Sequence, residues 1–129
     1  MSQIDTVFEY NGAQYSFDVR DADDAEKFEN AINGLAEDEK AAQKDGKISE
    51  HIRLHCNMLK RFFDTCLGEG AGEKICGIKS NITVHYEAYD KFIMFIKEQR
   101  DDILSAKSTF AKYSNRSQRR AAQKQKPKK

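Results

Sequence analysis

Residues 4–19 read Ile-Asp-Thr-Val-Phe-Glu-Tyr-Asn-Gly-Ala-Gln-Tyr-Ser-Phe-Asp-Val, two alternating runs around Asn11-Gly12. That dipeptide favours the type I′ turn of a two-residue hairpin, because both central positions need positive φ. Pairing outward from it sets Tyr10 opposite Ala13, Phe8 opposite Tyr15, Thr6 opposite Phe17 and Ile4 opposite Val19, all on one face. The other face carries Asp5, Val7, Glu9, Gln14, Ser16 and Asp18 and is mainly polar. A hairpin is therefore predicted over about residues 3–19, with one side that must be covered. Two strands alone are marginal in water, so the cover has to come from helices or from a neighbouring subunit.

The residues that follow supply those helices. A first is predicted over about 22–44, capped by Asp21 or by Asp23 with Glu26 in a capping-box arrangement. Its apolar stripe of Ala25, Phe28, Ile32, Leu35 and Ala36 is thin and fades among charges. The second, over 48–67 with Ser49 as a candidate cap, has the best core stripe: Ile48, Ile52, Cys56, Leu59, Phe63 and Cys66, with Phe62 beside it. Gly68-Glu69-Gly70-Ala71-Gly72 breaks it, and a short turn over 71–76 can follow before Gly77. A third long helix is predicted over about 82–111, capped by Asn81 and striped by Tyr86, Tyr89, Phe92, Ile93, Ile96, Ile103 and Leu104. Ile82-Thr83-Val84 reads equally well as a short strand, being β-branched. The expected fold class is thus α+β: an N-terminal β-hairpin packed on a mainly α three-helix bundle over residues 1–113, then a disordered basic C-terminal tail over 114–129.

Length and composition agree with one domain. The chain has 129 residues, 39% hydrophobic and 33% charged, with one Pro and no Trp, and domains commonly run to about 100–150 residues. No apolar run approaches the roughly 18–20 residues that span a bilayer, and the start lacks the basic region of a signal peptide. A cytoplasmic protein with no membrane contact is expected. Cys56, Cys66 and Cys76 are odd in number with no Cys-x-x-Cys pair, which suits reduced core thiols better than a disulfide framework or zinc ribbon.

The net charge of +1 hides a segregation. Residues 107–129 hold nine basic side chains and no acid, leaving 13 basic and 21 acidic ones in residues 1–106. Residues 107–129 therefore carry +9 and residues 1–106 −8. Arg116, Arg119, Arg120, Lys124 and Lys126 are the candidate partner-binding residues, able to meet an acidic protein surface or to neutralise phosphates without reading sequence. No aromatic residue follows Tyr113 to stack on bases.

Catalytic and metal chemistry finds little footing. His51, His55 and Cys56 share ligand spacing on a helix, but Ile52 occupies the place of the metalloprotease glutamate and His85 is not placed beside them by any local pattern. The glycine-rich loop with Lys74 lacks Walker A spacing, Gly72 being followed by Glu73. Cys56 and Cys66 lie on an apolar stripe, where thiols behave as small hydrophobes. No catalytic, cofactor or metal residue is assigned, and a non-enzymatic protein is expected.

The Asn-Gly hairpin, the Phe17-Asp18-Val19-Arg20-Asp21-Ala22-Asp23 entry to an acidic helix, the Phe62-Phe63-Asp64 to Gly72 segment and the Tyr113-Ser114-Asn115-Arg116-Ser117-Gln118-Arg119-Arg120 ending together resemble a family of small proteins of tailed bacteriophages, encoded among tail-morphogenesis genes and tail-assembly-chaperone-like. The resemblance covers nearly the whole chain and transfers no site residue. It implies a chaperone that keeps a tape-measure protein soluble while tail tube subunits assemble, acting in the host cytoplasm. Alternatives from the residues themselves are a nucleic-acid-binding or host-interaction protein working through the basic tail, and a homo-oligomer joined through its opposite charges.

Overall fold

The structure, a computed structural model, describes residues 4–42 and 46–125, with residues 115–125 as backbone alone. The hairpin is present: β1 (Val7–Tyr10) and β2 (Ala13–Ser16) pair antiparallel, with Phe8 opposite Tyr15 and Tyr10 opposite Ala13. Asn11 and Gly12 have φ of 54° and 79°, the two positive values that a type I′ turn demands. Regular pairing is shorter than the expected 3–19, whose first residue lies outside those described, although the Phe17 N–H still donates to the Thr6 carbonyl at 2.9 Å. The alternation persists past the strands. Phe8, Phe17 and Val19 are buried while Glu9, Gln14 and Ser16 face out.

Helix α1 (Ala22–Ala41) begins after Asp21, whose side chain makes no capping hydrogen bond, so the expected aspartate cap holds by position only. Its predicted end at Lys44 falls among residues 43–45, outside those described; the helix itself closes at Ala41. Helix α2 (Ile48–Leu67) has the predicted bounds, but its cap position is Lys47 rather than Ser49, and Ile48 is exposed. A short helix, α3 (Ala71–Cys76), follows between Gly70 and Gly77, both at positive φ. Helix α4 spans Ile82–Gln125. Asn81 caps it, its Oδ1 accepting from the N–H groups of Thr83 and Val84 at 3.1 and 3.2 Å, so residues 82–84 are helix and not strand.

The end of α4 departs from expectation, since the helix continues past 111 and through the segment read as a disordered tail, as far as Gln125. The reason lies in residues 107–126, which contain neither Gly nor Pro and are rich in Ala, Gln, Lys and Arg, all good helix formers; Pro127 is the first breaker. Apolar periodicity marks buried helix, not helix as such. Residues 126–129 lie outside those described.

The core is an aromatic cluster between the hairpin, α2 and α4. Phe92 sits at its centre, with ring centroids of Phe8, Phe17, Phe28, Phe62, Phe63 and Phe95 between 5.1 and 6.4 Å away. Offset and edge-on pairs at such spacing add to the burial of the rings themselves. The hairpin face is therefore covered by helices of its own chain. Among the described residues, no helix is long and apolar enough to cross a membrane.

Candidate protein-binding surfaces

The residues with catalytic or ligand chemistry do not converge. The His51 and His55 rings lie tilted with centroids 4.1 Å apart, and His55 turns toward α1, where its Nε2 lies 3.3 Å from Glu39 Oε2, whereas Cys56 turns into the core. His85 is buried; its Nδ1 is 2.7 Å from the Asn81 carbonyl, which fixes the proton there and leaves Nε2 without a partner. Among the described residues no group of three or more His, Cys, Asp or Glu side chains comes together as a metal site. Burial pushes the Cys66 and Cys76 thiols up to about 12 and raises that of Cys56, so none is a ready thiolate.

The glycine-rich segment turns out to be a packing device. A Cβ on Gly72 would fall on the Lys60 backbone, 2.6 Å from its Cα, so α3 meets α2 at a distance that only glycine allows. The Gly72 N–H donates to Asp64 Oδ1 at 2.7 Å. A role in phosphate binding has no support in this geometry, because that amide is already used within the chain.

Along α4 the described residues leave apolar side chains open on two surfaces. The first is a groove between α1 and α4. Phe28, Ile32 and Leu35 of α1 are only partly buried, because α1 leans on α2 and α4 does not close over it. Two adjoining hollows of about 490 and 440 Å³ share Ile32. Leu35, Met58, Tyr86 and Tyr89 line the first, Phe28, Ile93, Ile96 and Leu104 the second. From Tyr86 to Leu104 the groove follows α4 for roughly 27 Å, or about five helical turns. Its rim carries Glu39 and Asp90 at one end and Lys97, Arg100 and Asp101 at the other.

The second surface is the free part of α4. Gln99 is the last buried residue, and from Ile103 onward the helix leaves the body as an arm of roughly 35 Å, at 1.5 Å per residue to Gln125. Ile103 and Leu104 are exposed, as are Phe110 (73%) and Tyr113 (66%). The candidate residues Arg116, Arg119, Arg120 and Lys124 sit on this arm's final turns, where only the backbone is described; Lys126 lies outside the described residues.

Residues 11–123 match the model of a family of unknown function, DUF6673. The chain belongs to the DUF6673 family. No curated protein and no solved structure matches it. The match begins at the hairpin turn and takes in most of the arm, so DUF6673 describes body and arm as one unit.

Of the surface residues, the sequence had signalled the α1 stripe and the basic run. It did not signal Gln99, which became the joint between hairpin and α4. Its Oε1 accepts from the Val19 N–H at 2.9 Å, and its Nε2 donates to the Phe17 and Asp5 carbonyls at 2.9 and 3.0 Å. One glutamine within an apolar periodicity was the available sign.

Proposed function

We propose that this DUF6673 protein is non-enzymatic and holds an amphipathic helix of a partner protein in the α1–α4 groove. The observation that carries the reading is the groove itself: an apolar channel about five turns long that the chain's own helices leave uncovered. A partner helix with apolar residues at i, i+3/i+4 and i+7 would bury one stripe there, and the rim charges would orient it more than bind it. The resemblance to tail-morphogenesis proteins gives the finer form of the proposal: a tail-assembly chaperone in the host cytoplasm, whose client is the long helical tape-measure protein. The buried, protonated thiols and the dispersed histidines favour binding over catalysis.

The test is co-expression of the tagged full chain with the tape-measure protein of a tailed bacteriophage. Recovery of a helical partner in soluble form, lost with Leu35→Glu in the groove, supports the proposal. The basic end of α4 carries the competing reading. Nucleic acid recovered in place of protein, released by salt and lost when residues 114–129 are deleted, would replace the chaperone with a phosphate-binding protein.

A further inference from the structure

The exposed residues of the arm repeat the pattern of the buried residues of the body. Within the body, α4 buries His85, Ala88, Phe92 and Phe95 along one face. Ile103, Ala106, Phe110 and Tyr113 stand 18 residues further on, about five full turns, and so lie on the same face. The heptad spacing through Phe92, Ile96 and Gln99 runs on through these four without a break. In the body that face is covered by the hairpin and α2; on the arm, among the described residues, it stands exposed at Ile103, Phe110 and Tyr113.

The root of the arm is acidic. Asp18 and Asp102 are held there by Arg20, Asp102 at 2.9 Å, and Asp24 by the Asp18 N–H at 2.9 Å, while Gln99 holds the backbone carbonyl of Asp5. Asp21 and Asp23 open α1 beside them. Arg20 is the cation bonded among them, with Lys97 and Arg100 on the neighbouring turns of α4, and its guanidinium holds the Asp18 carboxyl below the usual carboxylate range. The far part of the arm is purely basic from Lys107 onward.

We propose that the arm pairs with the arm of a second copy of this chain, antiparallel, as a short two-stranded coiled coil. In that register Ile103 faces Tyr113 of the other copy and Ala106 faces Phe110, so a small side chain meets a large one at each inner layer. Past Tyr113 each basic arm end then arrives at the acidic root of the other copy, where the hairpin covers α4 and the seam stops. A parallel pairing would stack alanine on alanine, leave a void, and lay two segments of +9 side by side. Charge and packing therefore select the same orientation. The groove and the seam adjoin at Ile96, but the uncovered seam residues Ile103, Ala106, Phe110 and Tyr113 are not among those that line the groove, so a variant such as Phe110→Glu tests the pairing apart from the client-binding proposal.

Sedimentation equilibrium of the full chain at low salt should give twice 14.8 kDa, with the dimer fraction falling as salt is added. Phe110→Glu should yield a monomer with an unchanged fold, since Phe110 touches nothing within its own body. Nitroxide labels at Gln118→Cys, the native thiols being buried, should stand roughly 30 Å apart along the axis in the antiparallel dimer, and close together in a parallel one. A wild-type monomer at every attainable concentration, a dimer indifferent to Phe110→Glu, or labels held abreast would each overturn the proposal.

Discussion

Gln99 and His85 occupy neighbouring stretches of one helix face and illustrate opposite fates of a buried polar side chain. Gln99 uses both its acceptor and its donors on backbone groups of the hairpin's ends. Gln99→Leu keeps the volume but strands the Val19 N–H and the Phe17 carbonyl, each buried orphan costing roughly 1–3 kcal/mol. Urea unfolding should show a loss of that order for each group, and Gln99→Glu, which replaces a donor by a carboxylate facing two carbonyls, should be no better. His85 is satisfied on one nitrogen only. Burial lowers its pKa, outweighing the Asn81 carbonyl, and the Lys60 cation adds to the effect. The unfolded chain then takes up a proton first as pH falls through about 6.5, so the stability this group contributes is present above that pH and lost below it. The melting temperature should drop between about pH 7 and 5, and His85→Phe should flatten that slope; an unaltered slope would place the titration elsewhere.

At the scale of elements, the long helices follow their stripes and the short one follows a contact. Helix α2 has its predicted bounds because six of its apolar residues fall on one side at helical spacing. Helix α3 has six residues, too few to persist alone, and it is held by Ile75 and Cys76 in the core and by the approach of Gly72 to Lys60. Gly72→Ala puts a methyl group onto the α2 backbone. It should cost roughly 1–3 kcal/mol in chemical unfolding, as overpacking does, whereas Gly34→Ala on α1, where a Cβ meets nothing within 4 Å, should be neutral or stabilising. Equal effects at the two glycines would deny the close approach. From the sequence the glycine cluster reads only as a break after α2, because a requirement for close packing between helices leaves no local mark in a sequence.

Across the whole molecule, body and arm are built for different work. Deleting residues 114–129 removes seven basic side chains and none of the apolar stripe residues read from the sequence. In a Phe110→Glu background, where copies stay apart, the deletion should leave the urea midpoint of the body unchanged; a fall would show that the arm's end packs on its own body. The local grammar of the chain was enough for the hairpin, its turn and its buried face, for the extent of α2, for the Asn81 cap and for the charge polarity, because each depends on residues within a few positions of one another. What only the tertiary structure decided has partners far apart in the chain: Gln99 joined to residues some eighty and more positions away, Gly72 set against Lys60, and the groove left because α1 leans on α2. The length of α4 belongs to both. Its helix formers were visible throughout, but only the packed body separates the part of the apolar seam that is covered from the part left for another chain.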